Sequence, residues 1–312
     1  MISSMENSAL KIFVIVVTYK GRQWYDRCFN SLRNSNIPVQ TIVVDNASDD
    51  GTVEYIRENY PEIILFESKE NLGFAKGNNM ALRYAYEKGC DYVFLLNQDA
   101  WLEDENAIET LISVFRKNLG FGIISPIHLS ADKSRINMAL ELNSRMCSRR
   151  LLSDMYCGTL KELYETDYVN AAAWLLPRNT LATLGGFDPL IYHYGEDDDY
   201  LNRARFHGLK IGICPKATVV HDHNSGTESD WSKYLAQKSS KEDLEIFLDL
   251  NKPFRYHSLR RYYLRKTIKG LMLGNKQERC RNWFKYKYIR RMRKPIEYSR
   301  KTNSIKQPNW IQ

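Results

Sequence analysis

At 312 residues, 43% of them hydrophobic and 26% charged, the chain has room for one large domain or two smaller ones, with the balance of an ordinary soluble globular fold. No run approaches the ~18 apolar residues of a membrane span. Met1 to Ala9 lacks the basic start and apolar centre of a signal peptide, so a cytoplasmic chain is expected. The net charge of +8 is uneven: Arg255 to Lys301 holds 17 Lys or Arg against two acids, Glu278 and Glu297, a local +15 that leaves −7 for the remainder. A mildly acidic body with a strongly basic tail points to two jobs in one chain. The six cysteines form no Cys-x-x-Cys pair, which favours buried free thiols over disulfides or a zinc site.

Lys11 to Val17 is an unbroken apolar run, the pattern of a strand buried on both faces, and it ends in Thr18-Tyr19-Lys20-Gly21. Trp24, Cys28 and Leu32 recur at helical spacing, and the helix should stop before Ile37-Pro38. Thr41 to Val44 is a second strand with Asp45-Asn46 at its end; a helix with Val53, Ile56 and Tyr60 follows, opened by acids that suit its dipole. Ile63 to Phe66 is a third strand. Asn71 to Asn79 runs into a helix bearing Met80 and Tyr84, with Gly89 past its end. Tyr92 to Leu96 is the central strand, with Asn97 and Asp99 just beyond it. A helix from about Asp104 to Lys117 and a short strand, Gly122 to Ser125, complete a β-α alternation that predicts a parallel sheet with helices on both faces.

The stretch from Lys133 to Thr166 is less readable and has room for a hairpin or a mobile loop. Order returns at Tyr168 to Leu176, then a helix over Arg178 to Leu184, the turn Gly185-Gly186-Phe187-Asp188-Pro189, and the acidic run Glu196 to Asp199 leading into a helix with Tyr200, Leu201, Ala204 and Phe206. Lys210 to Cys214 and Ala217 to Val220 read as strands, followed by His221-Asp222-His223.

Ligands of open α/β sheets bind beyond the carboxyl ends of the strands. Thr18-Tyr19, Asp45-Asn46, Asn71 with Gly73, and Asn97 with Asp99 therefore line one rim. There a carboxylate accepts from a base or ribose, and glycine lets the backbone approach a ligand. Asn97-x-Asp99 offers two hard oxygens on one face of an extended chain, the chemistry of a phosphate-bound divalent cation; an Asx turn is the plainer alternative. The acidic run is either a dipole-friendly helix cap or a catalytic carboxylate cluster. His221 beside a carboxylate past a strand end is either an ordinary surface group or a metal ligand.

Taken in order, Val16-Val-Thr-Tyr19, Val43-Val-Asp-Asn-Ala-Ser48 with Asp50-Gly-Thr52, Asn71-Leu-Gly-Phe74 with Gly77-Asn78, Leu95-Leu-Asn-Gln-Asp99, Gly185-Gly-Phe-Asp188, Tyr194-Gly-Glu-Asp197 with Asp199, and Val-Val-His221 resemble the inverting family 2 glycosyltransferases over about residues 11 to 225. The branch that looks closest builds bacterial surface polysaccharide, with rhamnosyl- and galactofuranosyl-like transferases. The resemblance implies a type A glycosyltransferase fold, Rossmann-like, with a mostly parallel central sheet between helices. It implies a catalytic domain over residues 1–250, with a nucleotide-binding half at about 10–125 and an acceptor half at about 126–250, and a basic, aromatic-rich helical extension over 251–312.

The same resemblance implies a donor such as dTDP-rhamnose or a UDP-hexose and a glycan or lipid-linked acceptor. Thr18, Tyr19, Asp45, Asn46, Asn71, Gly73, Lys76, Asn78 and Asn97 would hold the donor nucleotide. Asp99 and His221 would hold Mn²⁺ or Mg²⁺. Asp197 would be the catalytic base with Glu196 beside it, and Trp174, Gly186, Phe187 and Asp188 would face the acceptor. Two departures stand out: Asn97 replaces a common Asp, and Asp198 replaces a common apolar residue.

The tail interleaves Tyr256, Tyr262, Tyr263, Trp283, Phe284, Tyr286 and Tyr288 with Lys and Arg, and Leu264, Ile268 and Leu271 recur at helical spacing. Three readings follow: a helical pair on the anionic inner face of a membrane, where lipid-linked acceptors sit; an extension whose Leu264, Ile268 and Leu271 dock on the catalytic domain; and, a distant third, nucleic-acid binding, which no accompanying motif supports. The rival functions are a non-catalytic nucleotide-sugar or glycan-binding protein on the same fold and a dinucleotide oxidoreductase. The second lacks its Gly-x-Gly-x-x-Gly after the first strand. A nucleotidyltransferase is disfavoured too, for want of a Gly-rich phosphate loop near the N-terminus.

Overall fold

A computed structural model describes residues 9–137, 150–192, 194–222 and 242–311. His223 and most of the Lys133 to Thr166 stretch that resists reading, residues 138–149, lie outside them. The strands are β1 (Ile12–Thr18), β2 (Gln40–Asp45), β3 (Ile64–Glu67), β4 (Tyr92–Leu96), β5 (Ala100–Leu102), β6 (Phe121–Leu129), β7 (Tyr164–Glu165), β8 (Ala173–Pro177) and β9 (Lys210–His221). They form one sheet in the order β3-β2-β1-β4-β8-β6-β9-β5, with β7 paired to β9. The first four are parallel, as the apolar runs within them predict. Beyond β4 the run of parallel strands breaks: β8 enters antiparallel between β4 and β6, so the Phe121–Leu129 strand is not β4's neighbour. β6 and β9 are parallel, and β5 closes the edge antiparallel to β9. β9 is a single strand with a register shift where Pro126 faces Cys214 and Ile127 faces Thr218, which is why its sequence reads as two.

Helices α1 (Arg22–Arg33), α2 (Thr52–Asn59), α3 (Gly73–Glu87), α4 (Ala107–Lys117), α5 (Leu151–Tyr156), α6 (Arg178–Leu184) and α7 (Glu196–Phe206) precede the extension. Tyr25, Cys28, Phe29 and Leu32 of α1 and Ile108, Leu111, Ile112 and Phe115 of α4 cover one face of the sheet. Ala81, Leu82 and Ala85 of α3 and Tyr200, Leu201 and Ala204 of α7 cover the other. Small alanines let α3 sit close to the sheet, so its buried stripe runs one residue past Met80, which points outward.

The extension consists of α8 (Glu242–Leu248), α9 (Tyr256–Met272) and α10 (Lys276–Asn303). Phe247, Tyr256, Tyr263, Tyr286, Ile289 and Ile296 form a separate apolar cluster that also takes in Ile191. Each fully buried isoleucine there contributes ~1.5–3 kcal/mol. Pro295 lies inside α10 and removes one helical hydrogen bond, dividing it into a long arm and a short foot. The foot is tied to the body. Asp188 accepts from Ser299 and from Asn303 Nδ2, the latter at 2.8 Å, and Arg300 donates to the carbonyls of Phe247, Asp249 and Lys252. The segment after it turns back over α6 and the following loop: Gly186 N–H donates to Asn309 O at 2.8 Å, and Ile311 enters the main core. No helix among the described residues is long and apolar enough to cross a membrane.

Candidate active site

The parallel strands end on a common edge, and their loops frame an open cleft of about 520 Å³. Thr18, Tyr19, Asn46, Asn71, Gly73, Asn97, Asp99, Glu196, Asp197 and His221 all line it. These side chains come from six separate stretches of chain. Asn97 and Asp99 stand just past β4. The chain then enters β5, whose Ala100 pairs with His221 at the end of β9, and Asp222 N–H donates to Asp99 O at 2.8 Å. That ladder carries His221 Nε2 to 3.4 Å from Asp99 Oδ1, with the two side chains 5% and 17% exposed.

The Asp99–His221 spacing suits a shared cation. Two ligands each ~2.1 Å from one ion lie about 3.0–3.4 Å apart for octahedral to tetrahedral angles. Asn97 Nδ2 is 3.5 Å from His221 Nε2, and turning the amide over brings its oxygen to the same place. No group of three or more His, Cys, Asp or Glu able to hold an ion occurs among the described residues. The pair therefore leaves most coordination positions to ligand or water. Behind it, His128 is fully buried. Its ring meets His221 edge-on at 6.1 Å between centroids, and its Nε2 lies 3.0 Å from Ser125 Oγ. Burial, with a smaller push from His221, holds the His128 imidazole down at about 3, so it is neutral. Asn137 Nδ2 donates to His221 O at 3.1 Å and fixes the end of β9.

Asp197 reaches the cleft from the first turn of α7, which starts after Gly195 at φ 98°, where only glycine is unstrained. Its Oδ1 accepts the Asp198 N–H at 2.9 Å, and its Oδ2 accepts the Tyr168 hydroxyl at 2.7 Å. Of the other acids in that run, Asp199 turns inward to a fully buried ion pair with Arg203 at 2.8 Å. Burial pushes its carboxyl up to about 6 against the pull of that guanidinium. Arg203 also donates to the carbonyls of Leu184 and Gly186, so α7 is clamped to the Gly-Gly turn.

Several named residues work behind the cleft rather than in it. Asp45 is 2% exposed and its carboxylate takes Thr18 Oγ1, Ser48 N and Ser48 Oγ, holding the ends of β1 and β2 together. Asn78 is buried and donates to Phe74 O; Lys76 is exposed on α3 and does not line the cleft. Trp174 and Phe187 are fully buried and stack at 6.3 Å in the core. Gly186 packs against Asn79 and Ile311, and Asp188 is turned to the foot of α10. None of these four is part of the cleft wall. Sequence reading also passed over Gln98, whose amide grips both the N–H and C=O of Tyr19, at 2.9 and 3.1 Å. It missed Asn170, Tyr192 and Tyr194, which line the cleft, and Tyr168. Gln98, inside Asn97-x-Asp99, and Tyr194, at the head of Tyr194-Gly-Glu-Asp197, lay in motifs; the others sit in loops with no pattern.

Residues 13–160 match the family model described as Glycosyl transferase family 2. The chain is similar to the O-antigen chain rhamnosyltransferase WbaN of Salmonella anatum, 29% identical over 71% of this chain and 69% of that protein. It is similar also to the N-acetylglucosaminyl-diphospho-decaprenol L-rhamnosyltransferase of Mycobacterium tuberculosis, 25% identical over 82% of this chain and 89% of that one. Among solved structures it is similar to the mannosyltransferase PcManGT from Pyrobaculum calidifontis in complex with GDP-Man and Mn²⁺, with a TM-score of 0.54 at 20% identity over 72% of this chain and 60% of that chain. The shared fold is the type A glycosyltransferase fold.

Proposed function

Because this chain carries a glycosyl transferase family 2 domain over residues 13–160, we propose that it moves a sugar from a nucleoside diphosphate donor to a glycan or lipid-linked hydroxyl, with inversion at the anomeric carbon, in the synthesis of surface polysaccharide. The observation that carries this reading is one open cleft shared by the Asp99–His221 pair and the carboxylate of Asp197. Both of these relatives are named rhamnosyltransferases, so dTDP-rhamnose is the first donor to test and a UDP-hexose the next, and the diphospho-decaprenol in one name favours a lipid-linked acceptor.

Thr18, Tyr19, Asn46 and Gly73 hold the nucleotide, with Asp45 acting through Thr18 and Ser48. Asp99 and His221 hold Mn²⁺ or Mg²⁺, with Asn97 as a neutral oxygen. When bound, that ion supplies positive charge against the charge that builds on the departing diphosphate. Asp197 removes the acceptor proton as the new carbon–oxygen bond forms, and attack from the face opposite the diphosphate inverts the centre. The Tyr168 hydroxyl keeps the Asp197 carboxylate turned toward the cleft.

The test is nucleotide release against a panel of nucleotide sugars, with Mn²⁺ and with EDTA. Release of one nucleoside diphosphate, with a product of inverted configuration, is expected. Saturable donor binding without turnover under every condition would replace the transferase with a nucleotide-sugar-binding protein.

A further inference from the structure

The extension exposes an apolar face that its own packing does not use. Ile268 and Leu271 were candidates for docking on the body, yet both are exposed; the docking is done by Tyr256, Tyr263, Tyr286, Ile289 and Ile296. Met272 and Leu273, at the turn between α9 and α10, are 80% and 67% exposed. The two helices run antiparallel in close contact: a Cβ on Gly270 would lie 2.9 Å from the Arg279 nitrogen. In such a pair, the residue after each contact position turns to the same side, because both helices are right-handed and run in opposite directions. Ile268 and Leu271 follow the contact positions Thr267 and Gly270, and Trp283 follows Asn282, so the three share one face.

The charge around this face is predominantly positive. Arg261 and Arg265 lie one turn before Leu264 and Ile268, and Lys287 stands 5.3 Å from the centre of the Trp283 ring. Of the two acids in the hairpin, Glu297 is paired with Arg293 well away from the turn, and Glu278 lies in the first turn of α10. We propose that this face docks on an anionic lipid bilayer, with Ile268, Leu271 and Trp283 and the turn residues Met272 and Leu273 in the acyl boundary and the surrounding Lys and Arg on the lipid phosphates. Bulky aliphatic groups at a basic tip gain nothing from a nucleic acid, whose phosphates and bases call for charge and stacking. A second copy of the chain docked hairpin to hairpin would bring +15 against +15. A bilayer with anionic headgroups satisfies both the apolar tip and the basic collar.

Docking also orients the cleft. Ile191 is buried in the cluster that roots the hairpin, and the next residue, Tyr192, forms part of the cleft wall, where its hydroxyl donates to Asn71 O at 3.1 Å. The mouth of the cleft therefore stands beside the root of the docking element, where a lipid-linked acceptor would be presented. This last step rests on the transferase reading; the docking does not.

The experiment is co-sedimentation of the full chain with vesicles of phosphatidylcholine alone and with added phosphatidylglycerol, at low and high salt. The chain is expected to pellet with the anionic vesicles only and to be released by salt. Met272→Glu with Leu273→Glu, and separately Ile268→Glu with Leu271→Glu, should each weaken partition at least about tenfold. Arg265→Glu, which leaves the apolar tip intact, should do so less. Nucleotide release to water or a soluble acceptor should be unchanged in all of them. Equal pelleting with neutral and anionic vesicles, wild-type partition by the tip variants, retardation of an oligonucleotide without vesicle binding, or a dimer in light scattering that the tip variants dissolve would each overturn the proposal. A chain that binds vesicles but releases no nucleotide from any donor would sink the transferase and leave the docking standing.

Discussion

In the parallel half of the sheet, Thr18, Asn46 and Asp99 reach the cleft directly, each standing at or just past the end of a strand. In the mixed half the strands point both ways, and the chemistry arrives by other means: Asp197 on the first turn of a helix, His221 by pairing with β5, Tyr168 from a loop. Parallel strands deliver side chains to one rim by topology alone, whereas an antiparallel insertion must be backed by dedicated contacts. Arg203, clamped to the Leu184 and Gly186 carbonyls, is that backing for α7.

The sharpest way to break this comparison is to remove one group from each half. Asp197→Asn, in the mixed half, is expected to cut transfer by about 10²–10⁴-fold while donor affinity in calorimetry stays within about twofold; wild-type turnover would retire Asp197 as the base. Asp99→Ala, in the parallel half, should cost about 10²–10³-fold and weaken donor binding as well. Its residual rate should no longer respond to EDTA, and a variant that chelation still inhibits would place the ion elsewhere.

Backing is tested next. Gly185 has φ 71°, and a Cβ there would collide with the Asn309 backbone. Gly185→Ala should therefore lower stability by about 3 kcal/mol or more. Gly51→Ala, at φ 79° with nothing within 4 Å, should cost only about 1–2 kcal/mol. Comparable urea midpoints for the two would mean that the 307–311 segment adds nothing to the fold.

The smallest effect concerns pH. Buried, neutral His128 has its pKa depressed to about 3 from an ordinary 6.5. Between those values the unfolded chain binds the extra proton, so this contribution to stability is complete above pH 6.5 and is lost progressively as pH falls. Going from pH 7 to pH 5 should cost about 2 kcal/mol. The drop should shrink in His128→Asn; an unchanged pH slope would mean that other groups set it.

Much of this was legible in the residues because it followed from burial and spacing. Ile12 to Val17 and Val93 to Leu96 are apolar at every position, which only a strand covered on both faces requires. The motifs at Thr18, Asn46, Asp99, Asp197 and His221 kept their order along the chain. Strand direction was not legible: Ala173-Trp-Leu-Leu is as apolar as its parallel neighbours, and nothing in its composition says that it runs the other way. Three-residue β5 is too short to show a period, though it is what brings His221 to Asp99. Trp174 and Phe187 illustrate the opposite error. Large aromatics near a motif look like sugar platforms, but here they fill the core under α7. Exposure was equally hidden on α9, where Leu264 is partly buried while Ile268 and Leu271, on the same stripe, face outward.

Pro295 gives α10 a compliant joint. Above it, the arm is held by the packing of Tyr286 and Ile289. Below it, Ser299, Arg300 and Asn303 are fastened to the body at several points, and a broken helical ladder transmits bending poorly. Bending of the arm is thus softened at the joint before it reaches Asp188, while the packing of Ile289 keeps the arm in line with the body.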